Sequence, residues 1–150
     1  MTSGQPVGIR PAVVATRPLT ATQRALWTSQ RLDPDAPLAN MGDRFRIDGP
    51  LDPDQLIAAF AQVVAVSPAL RTVIDADADG SPVARILARA PRTTELIDLP
   101  LDDLDDWSAR RISTPIDATT CVYDSALLRH GDDRWTWRLD IHHVATDAAT

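Results

Sequence analysis

Two adjacent histidines, His142 and His143, close a strand-like run, and a carboxylate, Asp147, follows four residues after the second. An imidazole is the side chain best suited to moving protons near neutral pH. A nearby carboxylate can hold such a ring in place, or an arginine beside it. On a strand, neighbouring side chains point to opposite faces, so the two rings cannot do the same job. One is expected to face the core and the other a cavity. The residue types alone also allow one packed and one surface histidine with no chemistry. A zinc site fits poorly, because His130 and Cys121 are the remaining soft ligands and their spacing matches no common metal pattern.

Other residues carry two readings each. Asp147 fits a partner for a ring or an arginine, and equally a cap on a following helix. Arg71 sits among apolar residues of an expected strand. If buried it needs a carboxylate, and a bidentate aspartate would serve; if exposed it needs none. Trp135 and Trp137 share one strand face and read as core. The run Asp102-Asp103-Leu104-Asp105-Asp106 reads as a solvated helix start.

These residues need elements to hold them. Residues 1–18, with Gly4, Pro6, Gly8, Pro11 and Pro18, read as a flexible leader or linker. Thr20-Ala21-Thr22-Gln23 is a capping box that opens a helix to about Arg31, with Leu26 toward the core. Arg44 to Asp48 alternates as a half-buried strand. Asp52-Pro53 starts a second helix whose apolar stripe is Leu56, Ala59, Phe60, Val63 and Val64. Strands are expected over Leu70–Ile74, Val83–Leu87 and Thr94–Leu99, and an acidic helix over Leu101–Arg111. Cys121–Arg129 and Arg134–His142 read as a hairpin joined through His130-Gly131-Asp132-Asp133. Strands and helices without strict alternation indicate α+β or mixed α/β.

Composition sets outer bounds. The chain has 150 residues, 44% of them hydrophobic, enough for one domain. Its net charge of −6 gives no electrostatic reason to expect nucleic acid or an anionic membrane as partner. All 15 basic residues are arginine, and Glu95 is the one glutamate among 21 acids. That skew reflects a GC-rich genome more readily than chemistry. The single cysteine, Cys121, rules out an internal disulfide and fits a reducing compartment. No apolar run reaches the length of a membrane span, and Arg10 and Arg17 flank no signal-peptide core, so a cytoplasmic protein is expected.

Three segments together resemble a known family. Leu19-Thr20-Ala21-Thr22-Gln23-Arg24-Ala25-Leu26-Trp27 resembles the first core motif of nonribosomal peptide synthetase condensation domains, through Gln23, Arg24 and the aromatic that follows. Pro68-Ala69-Leu70-Arg71-Thr72-Val73-Ile74 resembles the second, centred on Leu-Arg-Thr. His142-His143-Val144-Ala145-Thr146-Asp147-Ala148 resembles the third, His-His, three variable residues, then Asp-Gly. Order and spacing match over about residues 18–150.

The resemblance implies a chloramphenicol acetyltransferase-like fold, and within it the N-terminal lobe (19–150) cut after the third motif. It implies acyl transfer: a donor thioester and an acceptor amine arrive on the 4'-phosphopantetheine arms of carrier proteins, enter a tunnel between two lobes, and form an amide. No cofactor is then bound directly, and the partners are carrier domains and the missing C-terminal lobe. His143 becomes the catalytic base, or the group that orients the amine. His142 becomes its inward-facing structural partner, and Asp147 a salt-bridge partner for an arginine, either Arg71 or one in the missing lobe. Ala148 departs from the family glycine, and a methyl there restricts the backbone and crowds a thioester. Val66 and Ser67 replace the usual Arg-His, and Ala149 and Thr150 a common Trp-Ser. These departures also fit an ester-forming relative, or a non-catalytic module that docks a carrier protein or tailoring enzyme. A free-standing acyltransferase that completes its site by self-association is a third expectation. A half-tunnel would expose apolar surface, so an isolated lobe should be aggregation-prone.

Overall fold

A computed structural model describes residues 11–145. Asp147 and Ala148 lie outside the described residues. The first departure from expectation comes early, because Val13–Pro18, assigned above to a leader, forms strand β1. It pairs antiparallel with β4 (Pro82–Leu87), which pairs in turn with β3 (Thr72–Ala76), giving a three-stranded sheet. Alternation in Val-Val-Ala-Thr-Arg-Pro is weak, and the ladder to β4 rather than local pattern makes it a strand.

A second sheet has the order β2-β7-β6-β5, with β2 at Asn40–Asp48, β5 at Glu95–Asp98, β6 at Tyr123–Arg129 and β7 at Arg134–His142. Its pairs are antiparallel except β5 with β6, whose parallel register requires a crossover. That crossover contains a 3₁₀ turn over Leu101–Asp103 and helix α3 (Leu104–Ile112). The expected acidic helix is therefore split, with Pro100 opening the tighter turn. The β6–β7 hairpin turns through Gly131 at φ 135°, a backbone conformation that favours glycine. His130 is used structurally in that turn: Nδ1 is 2.7 Å from the Leu99 carbonyl and Nε2 2.9 Å from Thr136 Oγ1.

Helix α1 (Ala21–Leu32) is opened by the expected capping box, and α2 (Pro53–Val66) by Asp52, whose side chain accepts from the amides of Asp54 and Gln55. Of the stripe expected on α2, Phe60 and Val64 are buried, whereas Val63 is 51% exposed. The core joins both sheets through α2. Phe60 meets Trp137 at 5.4 Å and Tyr123 at 5.6 Å, both edge-on. Ile74 and Ala84 come from the smaller sheet, and Val144 and Ala145 from the turn after β7. The architecture is mixed α/β, as expected, and its strands divide into two sheets.

Candidate functional site

Strand β7 presents two chemically distinct faces. Trp135, Trp137, Leu139 and Ile141 alternate with Thr136, Arg138, Asp140 and His142, and the four of the second set are all buried. Trp137, Leu139 and Ile141 pack on the core around Phe60, whereas Trp135 is buried outside that cluster with the Arg129 guanidinium over its ring. The polar set ends at His142, which is 1% exposed, and the chain then enters a 3₁₀ turn over His143–Ala145. His143, the first residue of that turn, is exposed. The two rings thus differ in burial, one inside and one outside, because the strand ends at His142 and the turn begins at His143.

The turn is fixed at successive backbone groups. The His142 amide donates to the Val122 carbonyl at 2.8 Å and the His143 amide to Ala39 at 2.7 Å. The Val144 amide donates to His142 Nδ1 at 3.1 Å. Gln23, on α1, donates through Nε2 to the Val144 carbonyl at 3.1 Å. Because Nδ1 of His142 accepts, its proton resides on Nε2. Burial, and secondarily His143, draws the His142 pKa down to about 4, against the opposing pull of Asp117.

That shift has a sign. The unfolded ring takes a proton near pH ~6.5 while the folded ring stays neutral to about 4. The stability is fully present above pH ~6.5 and is lost as pH falls toward 4, by on the order of 3 kcal/mol. His142→Asn, whose amide oxygen can still accept from Val144, is expected to flatten that loss. Urea midpoints measured from neutral to acid pH check it, and an unchanged acid slope in the variant would exclude His142 as its source.

His142 also borders a cleft of about 500 Å³, walled by Trp27, Gln30 and Asp35 on one side and Ile116 and Asp117 on the other. The Ile116–Asp117 wall is held by Asn40, the residue opposite His142 in the β2–β7 register. Its side-chain amide donates to the carbonyls of Ile112 (3.1 Å) and Thr114 (2.7 Å) and accepts from the Ile116 amide (3.1 Å).

Arg71 is not on a strand. Pro68 adopts helical angles and starts a 3₁₀ turn over Ala69–Arg71, and β3 begins at Thr72. The Arg71 guanidinium donates to the Val64 carbonyl at 3.2 Å and to that of Leu87, tying α2 to β4. Val64 belongs to the same core cluster as Val144 and Ala145. Arg24 is exposed on α1. Cys121 is buried, donates from Sγ to the Tyr123 carbonyl at 3.2 Å, and has its thiol pushed up by burial, which suits packing rather than nucleophilic chemistry. Among the described residues no three of His, Cys, Asp and Glu converge as a metal site.

The family model for the condensation domain matches residues 14–150. The chain belongs to the condensation-domain family. An isonitrile lipopeptide synthase of Streptomyces coeruleorubidus is 33% identical over 87% of this chain and 9% of its own length. One of Mycobacterium tuberculosis is 35% identical over 92% of the chain and 6% of its own length. Among solved structures, the starter condensation domain of rhizomide synthetase RzmA superposes with a TM-score of 0.79 at 28% identity, covering 87% of this chain and 34% of that one. The first condensation domain of the calcium-dependent antibiotic synthetase, in complex with a substrate analogue, gives 0.75 at 25% identity, covering 88% and 35%. The condensation-domain chain therefore spans about a third of these solved domains and under a tenth of the curated synthases.

Sequence reading of this condensation domain missed Asn40, Gly42 and the pair Arg138–Asp140. The pair had a signal: opposite charges two apart on a strand share a face, and that face is the one leading to His142. Asn40 had none, because its partners lie more than 70 residues away.

Proposed function

We propose that this chain supplies the histidine-bearing part of a reaction centre that forms an amide between a carrier-bound acyl or peptidyl thioester and an acceptor amine. The observation that carries the reading is the division of labour at the end of β7. His142 is buried and spends its Nδ1 on the Val144 amide, while His143, one residue on, is exposed. In this reading the amine nitrogen attacks the thioester carbonyl carbon. The C–N bond forms, the C–S bond breaks, and the sulfur leaves as thiolate. His143 takes the amine proton, or holds the amine in line, and the proton is returned to the thiolate.

Both substrates would come on phosphopantetheine arms of carrier proteins, and the chemistry would need the rest of the domain. Asp147 would pair with an arginine, either Arg71, whose guanidinium also donates to the Val64 and Leu87 carbonyls, or one in the rest of the domain. The reading is tested in the complete synthetase by comparing amide formation before and after His143→Ala. A large loss supports it, and an unchanged rate removes His143 from the chemistry.

Ala148 favours a second reading, a docking module without turnover or an ester-forming variant, because the family glycine is missing there. Ala148→Gly separates the two. A marked gain in amide formation is expected of a weakened catalyst, and no gain together with retained carrier binding is expected of a docking module.

A further inference from the structure

We infer that Gln23 is a positioning residue for His143, acting through the Val144 carbonyl; this rests on the amide-forming reading above. Gln23 is 3% exposed, and its one side-chain amide does two jobs. Its Oε1 accepts from the Thr20 amide at 3.0 Å, which completes the capping box of α1. Its Nε2 donates to the Val144 carbonyl at 3.1 Å, across 121 residues of sequence. A helix cap needs only the first of these. The second joins α1 to the turn that carries His143, directly after the residue whose position matters.

The remaining bonds of that turn come from elsewhere: Val122 on the approach to β6, Ala39 before β2, and the His142 ring. Each holds an amide hydrogen. Within this set of bonds Gln23 is the group that holds a carbonyl, and so the one that resists rotation of the peptide plane after Val144. Without it, the His143–Ala145 turn keeps its amide bonds but loses one of two opposed restraints, and the adjoining ring can swing. Displacements of about 1 Å at a reacting group cost on the order of 10²-fold in rate.

The test uses the complete synthetase and its own acyl-loaded carrier protein as donor. Gln23→Leu is expected to lower kcat by about 10- to 100-fold with KM for the loaded carrier little changed. Thr20→Ala removes the hydroxyl that accepts from the Gln23 amide at 3.2 Å but leaves the brace to Val144. It is expected to lower Tm while keeping kcat. Gln23→Glu adds a readout that a purely structural role would not move. Its carboxylate can still accept from Thr20 but faces the Val144 carbonyl, to which only the protonated acid can donate. Its kcat relative to wild type at the same pH is therefore expected to rise as pH falls.

Full kcat in Gln23→Leu, an equal kcat loss in Thr20→Ala, or a flat Gln23→Glu ratio would each overturn the inference. His143→Ala in the same assay separates the two levels. If it abolishes turnover while Gln23→Leu does not, the positioning role alone fails; if it changes nothing, the amide-forming reading fails first.

Discussion

His143→Ala in the complete synthetase is expected to reduce amide formation by about 10²- to 10⁴-fold, the usual contribution of a positioned acid–base group. In barrier terms that is about 3–5 kcal/mol. Folding stability should change little, within about 0.5 kcal/mol, because the side chain is exposed and the bonds that fix the turn include the Ala39 carbonyl, the His142 ring and Gln23. The neighbouring histidine gives the opposite profile. His142→Ala leaves the buried Val144 amide without its acceptor, a loss of about 1–3 kcal/mol, and adds a cavity at a site that is 1% exposed. Two adjacent, identical residues should thus separate cleanly, one in rate at constant stability and the other in stability first. Single-turnover product formation by mass spectrometry, run beside thermal unfolding of the same variants, measures both. A rate loss for His143→Ala that scales with a Tm loss would mean the ring is structural after all.

What could be read from the chain was what short-range rules govern. The capping box at Thr20 and Gln23 has the predicted geometry, because its hydrogen bonds close over three residues. Trp135 and Trp137 share a face through strand alternation, whereas His143 is exposed where the chain leaves the strand for a 3₁₀ turn. What was not legible was set by partners far away in sequence. β1 is a strand because β4 pairs with it. β2 starts at Asn40 rather than Arg44 because β7 is long enough to pair with Asn40, Met41 and Gly42, residues with little strand propensity of their own. Arg71 lies in a turn because Pro68 sets helical angles just before it. Gln23 shows the boundary within one residue: its cap was visible from spacing, and its bond to Val144 was not.

The other large effect is expected at a buried ion pair that local patterning passed over. Arg138 and Asp140 form a two-pronged bridge, Nε to Oδ2 and Nη2 to Oδ1, both at 2.6 Å, with the side chains 6% and 3% exposed. Asp140→Ala would leave the guanidinium buried without its counter-charge, which costs about 3–5 kcal/mol, whereas replacing both partners with apolar residues of similar volume should be far milder. Gly42 sits opposite Asp140 in the β2–β7 register. A Cβ there would lie 1.8 Å from Asp140 Oδ1 and 2.9 Å from its Cγ, so Gly42→Ala must push the carboxylate off the guanidinium. The two effects should therefore be strongly non-additive: in an Asp140→Ala background the two nearest atoms are gone and the Arg138 Nη2 contact at 3.0 Å remains, so Gly42→Ala should cost less than it does in wild type. A double-mutant cycle in urea measures this coupling, and additive losses would show that the ion pair and the glycine are independent. The coupling also bears on the proposed reaction centre. The register that sets Gly42 against Asp140 sets Asn40 against His142, and Ala39, which receives the His143 amide, is the next residue back. A slip of one residue would turn the β2 side chains to the other face and move that acceptor. Gly42, which has no side chain to displace the carboxylate, thereby helps to keep the histidine turn in place.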